Sequence, residues 1–450
     1  MKKALLFLFL GFMVTGSLAK QSDDSSKTSD DIVKTGWNLG LLPAVAFNSD
    51  LGFEYGVIAN LYYYGDGSHY PNYDHSLYFE VSRFTKGSGI YRFYYDSEYL
   101  IPGIRLTADL SYLPDEAYDF YGFNGYESVY QSKWQNEDAN AYRTRMFYNY
   151  QRNLFRIKAD FQGQLSGKSV RWIAGVCGRN FDISSVDIEK LNEGKDKDEK
   201  LPPLSEEPGL YERYIDWGLI PQDEKNGGLI STVKAGVVYD TRDKLQNPST
   251  GIWTEAVVVA SHSAIGSDEN FAKFSLTHRQ YLPLLKEKLT FAYRLGYQGT
   301  VAGHAPFYYQ PIIETSVLTG AWNEGLGGQR SIRGVNRNRI VGDGFVYGNF
   351  ELRWIPFTFT IANQNFYVGF NGFFDTGRIV QEIQIEDELE NIGTPQENYF
   401  NPGAESFHSS AGIGLKLAMN WNFVLSVEYG HAMDPQDGNS GLYIALNYLF

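Results

Sequence analysis

The chain has 450 residues and a formal net charge of −14. That balance excludes a nucleic-acid binder, whose affinity comes largely from neutralising phosphates. The single cysteine, Cys177, excludes an intrachain disulfide scaffold, and an aromatic content of 16%, with 33 Tyr and 30 Phe, suits a chain that sets aromatic girdles at two membrane interfaces.

The first residues read MKKALLFLFLGFMVTGSLAK. Lys2 and Lys3 form a charged head, Ala4–Val14 an apolar stretch, and Ser17-Leu18-Ala19 the small residues that a signal peptidase reads. Residues 1–19 are therefore expected to be a cleaved signal peptide. Residues 20–34, with the Ser/Asp-rich QSDDSSKTSDDI, are expected to be a disordered leader. No later run of about 18 apolar residues predicts a helical span.

From residue 35 to residue 450 one pattern repeats: alternating segments of about ten residues separated by turns. The first, TGWNLGLLPAV, carries Gly36, Gly40 and Pro43, which weaken strand pairing. Seventeen segments qualify, near 37–48, 51–65, 74–85, 89–99, 103–113, 140–151, 154–166, 169–181, 228–242, 250–262, 269–282, 287–300, 344–356, 365–379, 406–419, 422–431 and 440–450. In one of them Leu289, Phe291, Tyr293, Leu295 and Tyr297 alternate with Thr290, Ala292, Arg294 and Gly296. Side chains alternate across a strand, so each segment has an apolar and a polar face. A soluble sandwich would bury the apolar faces, whereas a membrane barrel turns them to lipid and the polar faces to a lumen. Segment length, the export signal and the lack of a helical span favour the barrel. Bacterial single-chain barrels have even strand numbers, so the expectation is an all-β, 16-stranded antiparallel transmembrane barrel, with one segment of the first half not a strand. The turns at Pro248 and Lys286–Lys288 are expected on the periplasmic side, and the long connections 182–227, 301–343 and 380–405 outside. The acidic runs in 190–207 and at Glu386–Glu390 read as solvated loops rather than calcium sites.

The connection before residue 344 holds GGQRSIRGVNRNRIVGDG, with Arg330, Arg333, Arg337 and Arg339 between glycines. In the next strand Asn349, Glu351 and Arg353 alternate with Phe350, Leu352 and Trp354, which puts Glu351 inward; by the same parity Asp375 points inward from the strand after it. An arginine reaching both carboxylates would form charge-assisted bonds in a partly dry interior. The final segment, GLYIALNYLF, places Leu442, Ile444, Leu446, Tyr448 and Phe450 on one apolar face. Its junction with the first strand, from Gly441 onward, is expected to be poorly paired.

These residues resemble the BamA/TamA-type outer-membrane assembly factors, the bacterial surface antigen superfamily. Ile332-Arg333-Gly334-Val335 occupies the position of that family's lumenal Val-Arg-Gly-Phe/Tyr loop motif after the double glycine Gly327-Gly328, with Val335 where an aromatic is usual. NFELRW and FFDTGR resemble the strands that carry its inward glutamate, here Glu351, and aspartate, here Asp375. YDTRDKLQNPSTGIWTE resembles a family hairpin, FYGFNG at 120–125 a recurrent family segment, and the terminal Tyr448 and Phe450 the C-terminal signal for barrel insertion. The resemblance implies a loop inserted into the lumen, with Arg333, Gly334, Glu351 and Asp375 as an internal latch. It also implies a lateral seam at Gly36, Gly40, Pro43 and Gly441. The short leader leaves no room for the periplasmic POTRA domains of many relatives, so a barrel-only member is expected.

The implied function is assistance in inserting or translocating proteins, or lipids, at the outer membrane of a Gram-negative bacterium. Outer-membrane lipid and a periplasmic or outer-membrane protein would be its partners. A passive pore and a structural or surface-antigen subunit are the alternatives. No enzymatic role, cofactor or metal is expected. His75, His262, His278, His304, His408 and His431 are scattered without ligand spacing, and no Gly-x-Ser-x-Gly nucleophile motif is present.

Overall fold

The computed structural model describes residues 34–450 apart from 70–72, 168, 197–199, 245–246, 317–319, 323, 362–363, 386–388, 390–391, 393–397 and 420–422. The expected signal peptide and nearly all of the expected leader lie outside the described residues. Among them no helix is long and apolar enough to cross a membrane.

Sixteen antiparallel strands close into one barrel, each paired with its sequence neighbours and β1 with β16. The first eight are β1 (Trp37–Asn48), β2 (Gly52–Tyr63), β3 (His75–Phe84), β4 (Gly89–Ile101), β5 (Ile104–Asp119), β6 (Asn149–Ser166), β7 (Val170–Ser184) and β8 (Gly227–Asp240). The second eight are β9 (Gly251–Ser261), β10 (Phe271–Leu285), β11 (Leu289–Gly303), β12 (Gly344–Ile361), β13 (Gln364–Gln381), β14 (His408–Met419), β15 (Phe423–Ala432) and β16 (Ser440–Leu446).

The faces are inverted relative to a soluble protein. Leu39, Val81, Ile157, Val233, Leu352 and Ile413 are exposed on the outside, whereas Arg92, Asp109, Arg156, Asp160, Lys234 and Lys273 are buried within. The inward charges pair with one another, within and across strands: Arg92 and Arg156 both bond Asp109, at 2.7 and 2.9 Å, and Lys158 and Lys234 both bond Asp160, at 2.9 and 2.8 Å. A backbone in hydrocarbon must satisfy its polar groups internally, and a closed sheet does so without an edge.

The segment predicted near 140–151 is not a separate strand. Residues 125–148 form short 3₁₀ turns and loop, and only the last three residues of that segment, from Asn149, join β6. Its aromatic residues pack ring against ring instead: Trp134 lies 4.8 Å from Phe147, and Phe147 4.9 Å from Tyr148. They belong to a buried apolar cluster, including Phe120, Phe123, Tyr214, Phe307 and Phe400, drawn from four long connections. This cluster caps the long-loop end of the barrel.

β16 also departs from expectation. It ends at Leu446 because Asn447 adopts a left-handed conformation, φ 69°, which asparagine tolerates better than most residues. Leu442 and Leu446 stay on the outer face, but Tyr448 and Phe450 turn inward and are each 7% exposed. The guanidinium of Arg353 sits 4.4 Å from the Tyr448 ring and 4.9 Å from the Phe450 ring, which gives these aromatics a cationic partner inside the short-turn end.

Candidate functional site: an arginine latch in the lumen

The connection 304–343 leaves β11 and folds back into the barrel. Glu314 and Glu324 tie it to the wall through Arg179 of β7 at 3.1 Å and Arg152 of β6 at 2.5 Å. Its tip turns at Gly327 and Gly328, with φ of 112° and 80°. A Cβ on Gly327 would lie 2.0 Å from the Asn336 carbonyl oxygen, so the turn admits only glycine. Ser331 closes it, its Oγ accepting from the Gly327 N–H at 2.9 Å.

Arg333 is fully buried. Its Nε and Nη2 form a bidentate pair with Asp375 of β13 at 2.8 and 3.0 Å, and its backbone N–H donates to the same carboxylate at 3.1 Å. Nη1 donates to Glu351 of β12 and to Glu428 of β15, both at 2.7 Å. The guanidinium lies 3.6 Å from the centroid of the Phe373 ring. Three carboxylates around one arginine would be unbalanced, but Arg353 bonds Glu351 at 2.7 Å and Lys416 bonds Glu428 at 2.8 Å. Three cations thus meet three anions in a site shielded from water. Charge-assisted bonds are strongest there, and an unpaired charge costs most.

Gly334 lets the tip rest on the barrel backbone. Its φ is 99°, and a Cβ would lie 2.5 Å from the carbonyl carbon of Gly430 in β15. Its N–H donates to the Tyr443 hydroxyl of β16 at 3.2 Å. Val335 belongs to a buried cluster with Ile332, Leu326 and Ile340 of the loop and Phe345 and Tyr347 of β12, so the aromatics around the tip come from the wall.

The other arginines of the loop reach different parts of the wall. Arg337 bonds Asp115 and Asp119 of β5 at 2.6 and 3.0 Å. Arg339 donates to the carbonyls of Gln436, Gly125 and Ser128 at 2.7, 2.8 and 2.9 Å. The Arg330 carbonyl accepts from Arg294 at 3.1 Å. In the segment FYGFNG, Asn124 exchanges two 2.9 Å hydrogen bonds with the backbone of Ile383, joining two of the capping connections.

The structure brings Arg333, Gly334, Glu351 and Asp375 together, with Gly327 and Gly328 behind them. Sequence reasoning missed Glu428, Lys416, Phe373 and Tyr443. Glu428 carries the same signal as Glu351, an inward parity between outward Val427 and Tyr429, but it lies 95 residues from Arg333.

The seam residues are not brought together. β1 pairs with β2 over all twelve residues, Gly40 opposite Asn60 and Pro43 opposite Val57. Gly36 precedes the strand, and Gly441 pairs with Gly430 of β15. The junction of β1 with β16 is nevertheless short, Phe47 opposite Ile444 and Asn48 opposite Tyr443. β16 ends at Leu446, which leaves Trp37–Ala44 with no strand opposite, and its last two residues, Ala445 and Leu446, pair with β15 but not with β1. The inserted loop touches both sides of the junction: Asn48 Nδ2 donates to Gln329 Oε1 at 3.2 Å, and Gly334 contacts Tyr443.

A family model for the Omp85 superfamily domain matches residues 78–447. No curated protein sequence matches the chain. Among solved structures, BamA from Haemophilus ducreyi lacking POTRA domains 1–3 aligns with a TM-score of 0.55 at 16% identity, over 92% of this chain and 70% of that one. CdiB from Escherichia coli aligns with a TM-score of 0.55 at 11% identity, over 92% of this chain and 63% of its own length. At these identities the two likenesses concern the barrel fold. The domain match covers the latch loop and its three carboxylates, and the chain belongs to the Omp85 superfamily of outer-membrane β-barrels.

Proposed function

We propose that the protein helps insert or translocate proteins, or lipids, at the outer membrane, working with a periplasmic partner that supplies recognition. The role is one of guidance and not of catalysis. One observation carries this reading: β1 holds twelve register pairs with β2 but two with β16. Unpaired N–H and C=O groups along Trp37–Ala46 are a template for another strand, and they face the hydrocarbon layer where a client strand would need partners. The latch supports it by stiffening the strands beside this opening. The aromatic cap at the long-loop end counts against a passive pore, since porin-like conduction needs a continuous aqueous lumen.

The test is a disulfide across the seam, in the double variant Phe47→Cys/Ile444→Cys, expressed in cells depleted of the wild-type protein. Locking the seam is expected to lower the level of other outer-membrane barrels or to strand a secreted substrate, with recovery under reductant. Full function with the seam locked would overturn the reading. Isolation from native outer membrane is expected to retain the partner.

A further inference from the structure

At the short-turn end a cavity of about 290 Å³ opens between the β8–β9 turn, the β10–β11 turn and the inner wall of β11 and β12. Lys244, Lys288, Arg353 and Glu287 line it, and Thr290 adds a hydroxyl. Thr290 and Arg353 are direct register partners, so both belong to the same patch of wall.

Arg353 is 3% exposed and only partly satisfied. Its Nε bonds Glu351 at 2.7 Å and its Nη2 bonds the Phe450 backbone oxygen at 2.8 Å, but its Nη1 is buried without an acceptor. Glu351 is shared, since its other oxygen accepts from Arg333.

Further up the same wall, Arg279 of β10 stands directly opposite Arg294 of β11. Like charges placed opposite one another are destabilising. Arg294 bonds only neutral acceptors, Asn349 Oδ1 at 2.8 Å and the Arg330 carbonyl at 3.1 Å. Arg279 forms no ion pair among the described residues, and its Nε is another buried donor without a partner, as are Trp253 Nε1 and the Tyr281 hydroxyl. Among the described residues, this stretch of lumen holds four buried donors without a partner.

We propose that this cavity is an anion site for a phosphate group. Arg353, Lys288 and Lys244 come from the wall and from two separate turns. An anion with three or four oxygens can accept from all three directions at once, whereas a carboxylate presents its acceptors in one plane. The phosphate could be carried by a lipid headgroup or be free in solution, and the chemistry of the site is the same for both. The site is independent of whether the seam opens.

The experiment is a ³¹P NMR titration of the full chain in phosphorus-free detergent, with inorganic phosphate in one arm and a short-chain phosphatidylglycerol in the other. Saturable broadening is expected with at least one probe. Saturation with inorganic phosphate assigns a free anion, and saturation with the lipid alone assigns a headgroup. Lys288→Gln, in an exposed turn, is expected to weaken binding on the order of ten-fold, the loss of one charge-assisted bond, while leaving the folded barrel intact. Arg353→Gln is expected to abolish it, with the folded fraction checked by heat-modified gel mobility because Arg353 also supports Glu351. No saturation with either probe overturns the site, as does unchanged affinity in a folded Lys244→Gln/Lys288→Gln variant.

Discussion

Two neighbouring parts of this barrel are held together in opposite ways. Around Arg333, three strands are joined by one guanidinium to three carboxylates, in a site with almost no exposure. At the junction of β1 and β16, closure rests on two register pairs and one end of a seven-residue strand. Both regions contact the same inserted loop, through Gly334–Tyr443 on one side and Gln329–Asn48 on the other. The difference teaches that the loop does not tighten the barrel evenly. It fixes the β12–β15 wall by charge and leaves the adjacent seam to a few hydrogen bonds.

The comparison is broken most severely by removing the cation. Arg333→Ala leaves Glu351, Asp375 and Glu428 around a void, and breaking a buried ion pair in this way costs about 3–5 kcal/mol. The expected outcome is loss of most folded barrel, measured by heat-modified gel mobility after refolding. Arg333→Lys should recover only part, because an ammonium cannot reproduce the bidentate grip on Asp375. Wild-type yield in Arg333→Ala would mean that the latch does not hold the wall.

A smaller effect is expected from Gly334→Val. The φ of 99° and the close approach to Gly430 forbid a branched side chain. Backbone strain of this kind costs on the order of 1–3 kcal/mol. Thermal unfolding in detergent should fall, and Tyr443 should become accessible to quenching as the tip withdraws from β16.

Hydrogen exchange sharpens the other half of the comparison without a mutation. Amides of Trp37–Ala46 that point toward β16 should exchange faster than those bonded to β2, while amides of β12 and β13 stay protected. Uniform protection along β1 would contradict an open seam.

The smallest effect lies in the cap. His304 Nε2 meets Glu224 Oε1 at 2.8 Å, and this hydrogen bond holds the imidazole above its ordinary 6.5, although the ring is largely exposed. A raised folded value means that the tie stabilises fully at low pH and is lost as pH rises through that value. His304→Gln should lower the unfolding temperature slightly at about pH 6 and not at about pH 9. An equal difference at both would assign the effect to packing.

Much of the fold was legible because lipid and lumen each demand one kind of side chain. Strands such as β11 alternate without interruption from Leu289 to Gln298, and the same parity in β12 and β13 placed Glu351 and Asp375 inside. The segment near 140–151 misled because aromatic residues packed in a loop can imitate that alternation. Tyr448 and Phe450 misled for a related reason: parity assumes a continuing strand, and one left-handed residue, Asn447, ends it.

The residues by themselves determined an all-β chain of alternating faces, the inward carboxylates and the glycines that shape the loop tip, because these follow from local backbone geometry and from the medium each face meets. Closure of the barrel decided the rest. It brought Glu428 to Arg333 from 95 residues away, balanced three anions with Arg353 and Lys416, and left β1 facing a strand too short to cover it. Charge neutrality in a dry interior is a property of all the groups that meet there, and no local pattern specifies which groups those are.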